Sequence, residues 1–410
     1  MTRSRDTEYT FRQDSDFWYL TGFHEPDAWL ILSNSEDYEH EYTLLACQPK
    51  DEQAEVWQGR RVGPEHALDK YQADDTCSTV EIEWALAEML NGHKNLYFAV
   101  GHNEAAEALV FEVLSQLRAA PKQSKIAPRN IVDIRPHLHE MRLFKTPDEL
   151  VIMRQAGEVS ARAHCRAMRA VHTAKYEYQL EADILHEFAY AGAREAAYST
   201  IVGAGENACI LHYTENSDAL IAGDLVLIDA GAELHGYAAD ITRTFPVNGV
   251  FSRPQAQLYQ LVLDAQLAAL SVLKPEATIS DAMHACVHVL VAGLVELEIL
   301  NGSVEKLIED KAYQPFFMHG LGHWLGLDVH DVGDYKRGVQ DRPLKPGMVM
   351  TVEPGLYFAP SSDVPEQYRG IGIRIEDNIV IVENGHQVLT EGVPKTITEI
   401  ETLIQQAKPI

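Results

Sequence analysis

The segment 223–246, GDLVLIDAGAELHGYAADITRTFP, constrains the fold of this chain more than any other stretch. A short apolar run ends in Asp229, a turn-forming sequence follows, and polar and apolar residues alternate from Asp240 onward, which is the pattern of a β-hairpin. A turn centred between Leu234 and His235 places Asp229 directly opposite Asp240. The sequence therefore predicts two carboxylates facing each other across one hairpin.

Two opposed carboxylates repel each other, and a desolvated pair forces one of them to hold a proton. The pairing of Asp229 and Asp240 therefore predicts a counter-charge between them, for which a metal ion is the candidate. The alternative is that Asp229 ends a strand and caps a turn, while Asp240 is a solvated strand residue.

Three histidines fall within the segment 316–333, FFMHGLGHWLGLDVHDVG, at His319, His323 and His330. The first two have the spacing of metal ligands on a helix, but the three glycines among them disfavour a helix. We expect an irregular segment with individually placed imidazoles. A single histidine of this kind is more often a hydrogen-bonded structural residue than a ligand, and the density of three favours a site.

Two further acids lie at strand-like segments. Glu353 follows the apolar run 349–352, and Glu376 follows alternating isoleucines that put it with Arg374 on the opposite face. Taken singly, Glu353 is a turn acid and Glu376 an exposed partner of Arg374. Taken together, four carboxylates and one imidazole are a ligand set for two divalent ions that share bridging carboxylates: Asp229, Asp240, His323, Glu353 and Glu376.

Composition excludes several classes of partner. The 410 residues carry 34 Lys and Arg against 61 Asp and Glu, a formal charge of -27, which disfavours nucleic acid and anionic membranes. The five cysteines are odd in number and widely spaced, which fits a reducing compartment. The chain shows no signal-peptide core and no long apolar run. We expect a cytoplasmic protein.

The patterns typical of helices and strands divide the chain into two predicted domains. Residues 1–140 mix strands and amphipathic helices, as in a small α/β domain. A capping box formed by Thr146 and Glu149, with Pro147 between them, predicts a long helix that opens a second domain at 141–410. The predicted fold class is α/β, or α+β, in two domains.

The order D-x10-D, H, VEPG and GIRIED, with ILHYTEN at 210–216, resembles the Xaa-Pro aminopeptidase (aminopeptidase P) family of metallopeptidases with the pita-bread fold. The segments 12–30 and 54–63 resemble the N-terminal domain of that family. The resemblance implies an N-terminal α/β domain followed by a pita-bread catalytic domain. Family members carry an additional strand and helix earlier in the chain, so we expect this N-terminal domain to lack them.

The resemblance also implies roles for individual residues. It makes Asp229 a ligand of one ion, Asp240 and Glu376 bridges between two ions, and His323 and Glu353 ligands of the other. It implies a catalytic set of Glu353 as proton acceptor, His212 and His330 as groups that polarise the carbonyl, His319 and Arg374. It implies substrate-binding positions at Trp57, His212, His330 and Tyr357.

The function implied is hydrolysis of the bond between an N-terminal residue and a penultimate proline in Xaa-Pro-Yaa peptides, by hydroxide that two divalent ions activate. Oxygen-rich ligation favours manganese, with cobalt or zinc able to substitute. The resemblance implies a homodimer or homotetramer. The polar, glycine-containing stretch around Trp57 suggests a loop that reaches the site of a neighbouring subunit, and the alternative is that Trp57 is an ordinary core or surface aromatic.

Three alternatives stay open at the level of the sequence. A prolidase would be restricted to Xaa-Pro dipeptides. A non-catalytic peptide binder and a creatinase-like amidinohydrolase share the fold, but both are disfavoured because the five ligand candidates are all present.

Overall fold

The computed structural model describes residues 2–35 and 41–407, and the chain divides into two compact units, Met1–His139 and Glu140–Ile410. The strands described in the first unit are β1 (Trp29–Ser33), β2 (Tyr42–Cys47), β3 (Asp75–Ser78), β4 (Asn95–Tyr97) and β5 (Asn130–Val132). The helices described there are α1 (Ser15–Thr21), α2 (Glu52–Gln58), α3 (Gly63–Tyr71), α4 (Ile82–Leu90) and α5 (Glu104–Ala119), and α6 (Arg135–Leu143) contains the division.

The first unit is a mixed α/β structure. β1 pairs antiparallel with β2, which pairs parallel with β3, and β4 pairs parallel with β5. α4 and α5 bury Leu86, Val113 and Leu114 in a core that also contains Leu44 of β2. The mixture of strands and amphipathic helices predicted for this region is present.

The second unit is larger. Its described strands are β6 (Glu195–Ala196), β7 (Ile201–Ala204), β8 (Leu225–Asp229), β9 (Ala232–Leu234), β10 (Tyr237–Ala238), β11 (Thr242–Pro246), β12 (Lys336–Arg337), β13 (Gln340–Asp341), β14 (Val349–Val352), β15 (Gly355–Phe358), β16 (Ile371–Arg374), β17 (Asp377–Val382) and β18 (Gly385–Val388). Its described helices are α7 (Pro147–Ala170), α8 (Glu177–Tyr190), α9 (Arg253–Val272), α10 (Ile279–Glu296), α11 (Val304–Glu309) and α12 (Ile397–Gln406).

The strands of this unit form short antiparallel sheets that four long helices cover. The sheet orders are β11-β8-β7, β10-β9-β6 and β14-β17-β18, with β15 paired to β16. α7 packs against α8 and α9 against α10, and all four helices contribute to one large apolar core with the strands. β8, β11 and β14 are buried at every position.

Helix α7 begins where its capping signals predicted. Glu149 accepts from the backbone N–H of Thr146 at 2.7 Å, the Thr146 hydroxyl accepts from the backbone N–H of Glu149 at 3.4 Å, and Pro147 occupies the first helical position. These contacts satisfy donors that the first turn of a helix leaves free.

Helix α10 is, among the residues described, the one helix long and apolar enough to cross a membrane on length and composition alone. Cys286, Leu290 and Leu294 on one side of it are buried in the core, while His284 and His288 are exposed. Its apolar face packs against α9. The pattern is that of an amphipathic helix lining a core.

Candidate metal centre

The predicted hairpin forms, but its register differs from the prediction. β8 and β11 are antiparallel with Asp229 opposite Thr242, so Asp229 is not paired with Asp240. The turn is centred one residue later, between His235 and Gly236, and both have positive φ, 50° and 86°. A two-residue turn of this handedness matches the twist of the flanking strands, which explains why the chain turns at the glycine.

The two aspartates still meet, through a residue that the sequence analysis missed. The Tyr198 hydroxyl lies 2.5 Å from Oδ1 of Asp229 and 2.5 Å from Oδ1 of Asp240. Tyr198 precedes β7, whose edge pairs with β8, and this pairing brings the phenol against both acids. Arg374 Nη2 donates to the other oxygen of Asp229 at 2.6 Å.

Glu376 completes this group of acids. The Thr242 hydroxyl donates to its Oε2 at 2.6 Å, while its Oε1 is buried and has no hydrogen-bond partner among the described residues. Ligand atoms of Asp240, His323 and Glu376 all lie within 4.8 Å of one another. A buried carboxylate oxygen without a donor is costly unless a cation binds it.

His323 and Glu353 face the same group from the irregular segment and from the end of β14. His323 Nε2 lies 3.4 Å from Asp240 Oδ2 and 3.4 Å from Glu353 Oε1. Its other ring nitrogen is 3.0 Å from the carbonyl oxygen of Trp324, so Nε2 points at the acids. The Thr351 hydroxyl donates to Glu353 Oε1 at 3.2 Å. The prediction that the histidine segment is not helical is confirmed.

A cavity of about 470 Å³ brings these side chains together. All five proposed ligands line it, together with His212, His319, His330 and Arg374. Apolar walls come from Ile201, Leu211 and Val329. The residues predicted as ligands or catalytic groups, which span positions 212 to 376, thus line one cavity in the second unit.

Two predicted substrate-binding residues lie elsewhere. Tyr357 is only 2% exposed and lies behind the cavity wall, where its hydroxyl accepts from Arg374 Nη1 at 2.9 Å and lies 2.8 Å from His319 Nε2. We therefore expect Tyr357 to orient His319 and Arg374, not to contact substrate. Trp57 lies on helix α2 of the first unit, not in a loop as predicted, and is 88% exposed.

Burial and mutual repulsion raise the pKa values of three acids in the cavity. Burial, followed by the charge of Asp229, raises the pKa of Asp240 to about 6. Burial raises the pKa of Glu353 to about 7 although His323 opposes the shift, and burial with the charges of Asp240 and Glu353 raises the pKa of Glu376 well above its usual value. A divalent cation would remove this cost by stabilising the ionised forms.

The pKa values of His319 and His323 are shifted in opposite directions. Burial and the nearby Arg374 lower the pKa of His319 to about 4, so this imidazole is neutral at physiological pH. Burial also lowers the pKa of His323, but its contact with Asp240 and the charge of Glu353 outweigh burial and raise the pKa to about 9. A proton on His323 takes the place of a cation, and a metal would compete with it.

The donor set fits divalent metal ions. Carboxylate oxygens with one imidazole suit hard and borderline cations, and the partnerless Oε1 of Glu376 is an oxygen that such a cation would satisfy. Hydrogen bonds from Tyr198, Thr242 and Arg374 fix the direction of the ligand carboxylates.

Comparison with known proteins agrees with this geometry. The sequence profile of Metallopeptidase family M24 matches residues 151–383, and that of the Aminopeptidase P N-terminal domain matches residues 1–97. The chain belongs to metallopeptidase family M24. It is therefore a metal-dependent peptide hydrolase, as the sequence predicted.

Relatives that match this chain over nearly its whole length are named for the predicted function. The chain is 51% identical to the Xaa-Pro aminopeptidase of Escherichia coli over 100% of this chain and 92% of the relative. It is 48% identical to that of Haemophilus influenzae, over 98% and 90%. Zn-substituted E. coli aminopeptidase P in complex with product superposes with a TM-score of 0.97 at 51% identity, over 100% of this chain and 93% of that one. The predicted function and the pita-bread fold class are confirmed.

Proposed function

We propose that this chain removes an N-terminal residue from peptides with proline at the second position, using two divalent metal ions held by Asp229, Asp240, His323, Glu353 and Glu376. The observation that carries the proposal is the buried group of acids with raised pKa values in one cavity, in a member of a metallopeptidase family. When bound, the ions activate a water molecule and polarise the scissile carbonyl.

Glu353 is the proposed proton acceptor. A carboxylate at this position can take a proton from water and return it to the leaving nitrogen. It faces the cavity, lies 3.4 Å from His323 and is fixed by the Thr351 hydroxyl. His319 Nδ1 lies 3.9 Å from the other Glu353 oxygen, which is too far for a hydrogen bond, and Glu353 lines the cavity.

His212 and His330 are proposed to act on the substrate carbonyl. The two histidines line the cavity with Arg374, and burial together with the charges of His323 and His212 lowers the pKa of His330. A neutral imidazole keeps one N–H, so His330 can donate a hydrogen bond to the developing oxyanion. Arg374 holds Asp229, Thr242 and Tyr357 at once, so its role is to fix the positions of these groups.

Manganese is the proposed resident metal, with cobalt or zinc able to substitute, because four of five ligands are carboxylates. Metal analysis of the purified protein tests this proposal. The expected result is about two equivalents of manganese per chain under the two-ion mechanism. A stoichiometry of zero or one ion would refute the two-ion site.

Peptide length separates the proposed aminopeptidase from a prolidase. The match of residues 1–97 to the Aminopeptidase P N-terminal domain favours the aminopeptidase, and a further relative is human Xaa-Pro aminopeptidase 3, at 32% identity over 98% of this chain and 79% of the relative. An assay that compares Xaa-Pro-Yaa tripeptides with Xaa-Pro dipeptides decides the matter. Exclusive cleavage of dipeptides would contradict the proposal.

A homo-oligomer in the cytoplasm is also proposed. Trp57 and the neighbouring Val56 expose 88% and 79% of their surface on α2, which supports contact with another protein surface. In a symmetric assembly, such a contact recurs in every protomer and could bring Trp57 to the cavity mouth of a neighbour.

A further inference from the structure

Gln266 is a fully buried amide on helix α9, far in sequence from every proposed ligand. Its Nε2 lies 3.1 Å from the carbonyl oxygen of Val352, 3.2 Å from that of Ile375 and 3.2 Å from Oδ2 of Asp377. Its Oε1 accepts from Lys395 Nζ at 3.3 Å. Because an ammonium group can only donate, Lys395 fixes the amide with its NH₂ group toward the carbonyls.

The two carbonyls belong to residues that directly precede proposed ligands. Val352 is followed by Glu353 and ends β14, while Ile375 is followed by Glu376 in the connection from β16 to β17. A single side chain therefore bridges the two backbone segments that carry these acids. A carbonyl next to a ligand moves with the ligand's Cα, so this bridge sets the distance between the two carboxylates.

Packing alone does not explain a glutamine at this position. The residues of α9 around it are apolar and buried, among them Val262, Leu263, Ala269 and Leu270. An apolar side chain would fill the same space, and a buried amide stabilises a fold little beyond the hydrogen bonds it makes. Two of those hydrogen bonds go to the ligand-bearing segments, while the other two join Asp377 and Lys395, so a specific effect on the metal site would come from the first two.

We propose that Gln266 is a positioning residue for the metal centre, which holds Glu353 and Glu376 at the spacing that divalent ions require. This inference rests on the proposed two-ion site. Gln266 does not line the cavity and contacts no substrate, so it acts through the backbone of the two ligands.

The test compares Gln266→Met with Gln255→Met. Gln255 lies on the same helix and is 7% exposed; it donates to the carbonyl of Gly223 at 2.7 Å and accepts from the backbone N–H of Ser252 at 2.8 Å, and neither partner adjoins a proposed ligand in sequence. Manganese affinity of the metal-free proteins is measured by calorimetric titration, with thermal unfolding in chelator as the measure of stability. We expect Gln266→Met to weaken manganese binding by about tenfold or more, and Gln255→Met to leave it unchanged.

Wild-type affinity for manganese in Gln266→Met would overturn the proposal, as would equal weakening in both variants. If Gln266→Met does not fold, Gln266→Leu supplies the same comparison, because a branched hydrocarbon suits the apolar surroundings of α9. A wild-type protein that binds fewer than two ions would refute the two-ion function, and the affinity ratio between variant and wild type would still decide the role of Gln266.

Discussion

Glu376 and Asp377 are neighbours in sequence, and each is only 1% exposed, yet the two carboxylates lie in opposite environments. Asp377 accepts from Arg243 at 2.7 Å, from Lys395 at 2.8 Å and from the Thr390 hydroxyl at 2.9 Å. Glu376 receives one hydrogen bond, from Thr242, and has an oxygen without a partner among the described residues.

The electrostatics of the two acids diverge accordingly. Burial alone would raise the pKa of Asp377, but Arg243 and Lys395 outweigh it and lower the pKa below its usual value. Burial and the charges of Asp240 and Glu353 raise the pKa of Glu376. The protein's own cations stabilise ionised Asp377, whereas the pKa values of Asp240, Glu353 and Glu376 stay raised, and a bound cation would stabilise their ionised forms. This difference separates a structural carboxylate from a metal-binding one.

The largest expected effect is that of a substitution at Glu353, the proposed proton acceptor, which lines the cavity with Glu376. Glu353→Gln replaces a proton-accepting carboxylate oxygen with an amide. We expect kcat to fall by about 10⁴-fold, or roughly 5 kcal/mol of barrier, while peptide binding survives. Steady-state kinetics on an Xaa-Pro-Yaa peptide with a binding titration checks this. Activity within about tenfold of wild type would remove Glu353 from the role of base.

The two neighbouring acids should respond oppositely to loss of charge. Asp377→Asn leaves Arg243 and Lys395 without their shared carboxylate, and we expect unfolding in chelator to become easier by about 3 kcal/mol. Glu376→Gln relieves repulsion with Asp240, so the metal-free protein should be as stable as wild type or more stable, while metal affinity is lost. Denaturant unfolding with and without manganese measures both. Equal destabilisation by the two substitutions in chelator would break the comparison.

Metal affinity should fall as pH falls. The pKa values of about 6 for Asp240, about 7 for Glu353 and about 9 for His323 mean that protons occupy these groups in the metal-free protein below those values. Ligands must be deprotonated to bind, so each unit of pH below about 7 should cost about tenfold in affinity per proton displaced. Titrations in buffers of different ionisation enthalpy count the protons released. An affinity that does not change between pH 6 and pH 8, at roughly these pKa values, would contradict the electrostatic account.

The smallest expected effect concerns the first unit, which contributes none of the described cavity residues. Trp57→Ala should raise KM by about fivefold, or roughly 1 kcal/mol, without dissociating the proposed oligomer. Trp84→Ala is the matched control, since Trp84 is another exposed tryptophan of the same unit, on α4 and 67% exposed. Light scattering and kinetics of both variants measure the effect. A monomer with unimpaired kcat/KM would refute a shared site.

Local signals in the sequence predicted much of this protein. The capping box at Thr146, the apolar run that ends in Asp229 and the glycines between His319 and His323 were sufficient to place a helix, a strand and an irregular segment. The centre of the hairpin turn was missed by one residue, because alternation with a period of two does not fix where the strands reverse. The positive φ of His235 decided it.

The remaining site residues were not predictable because contacts distant in sequence select them. Tyr198 reaches Asp240 across 42 positions, and Thr242 reaches Glu376 across 134. No spacing rule marks either residue. Their selection depends on which strand ends meet when the sheets pack.

The sequence by itself determined the order and type of the elements and placed five candidate ligands at strand ends or in a glycine-rich segment, since periodicity and turn chemistry act over a few residues. It selected Glu376 from the alternation in GIRIED, but it could not give the adjacent Asp377 its role as the partner of buried cations. Only the tertiary structure decided this, by bringing Arg243 and Lys395 to one face of the strand and three acids to the other. Burial removes water from both carboxylates, and the charge that packing places beside each one then determines whether it holds the fold or binds a metal.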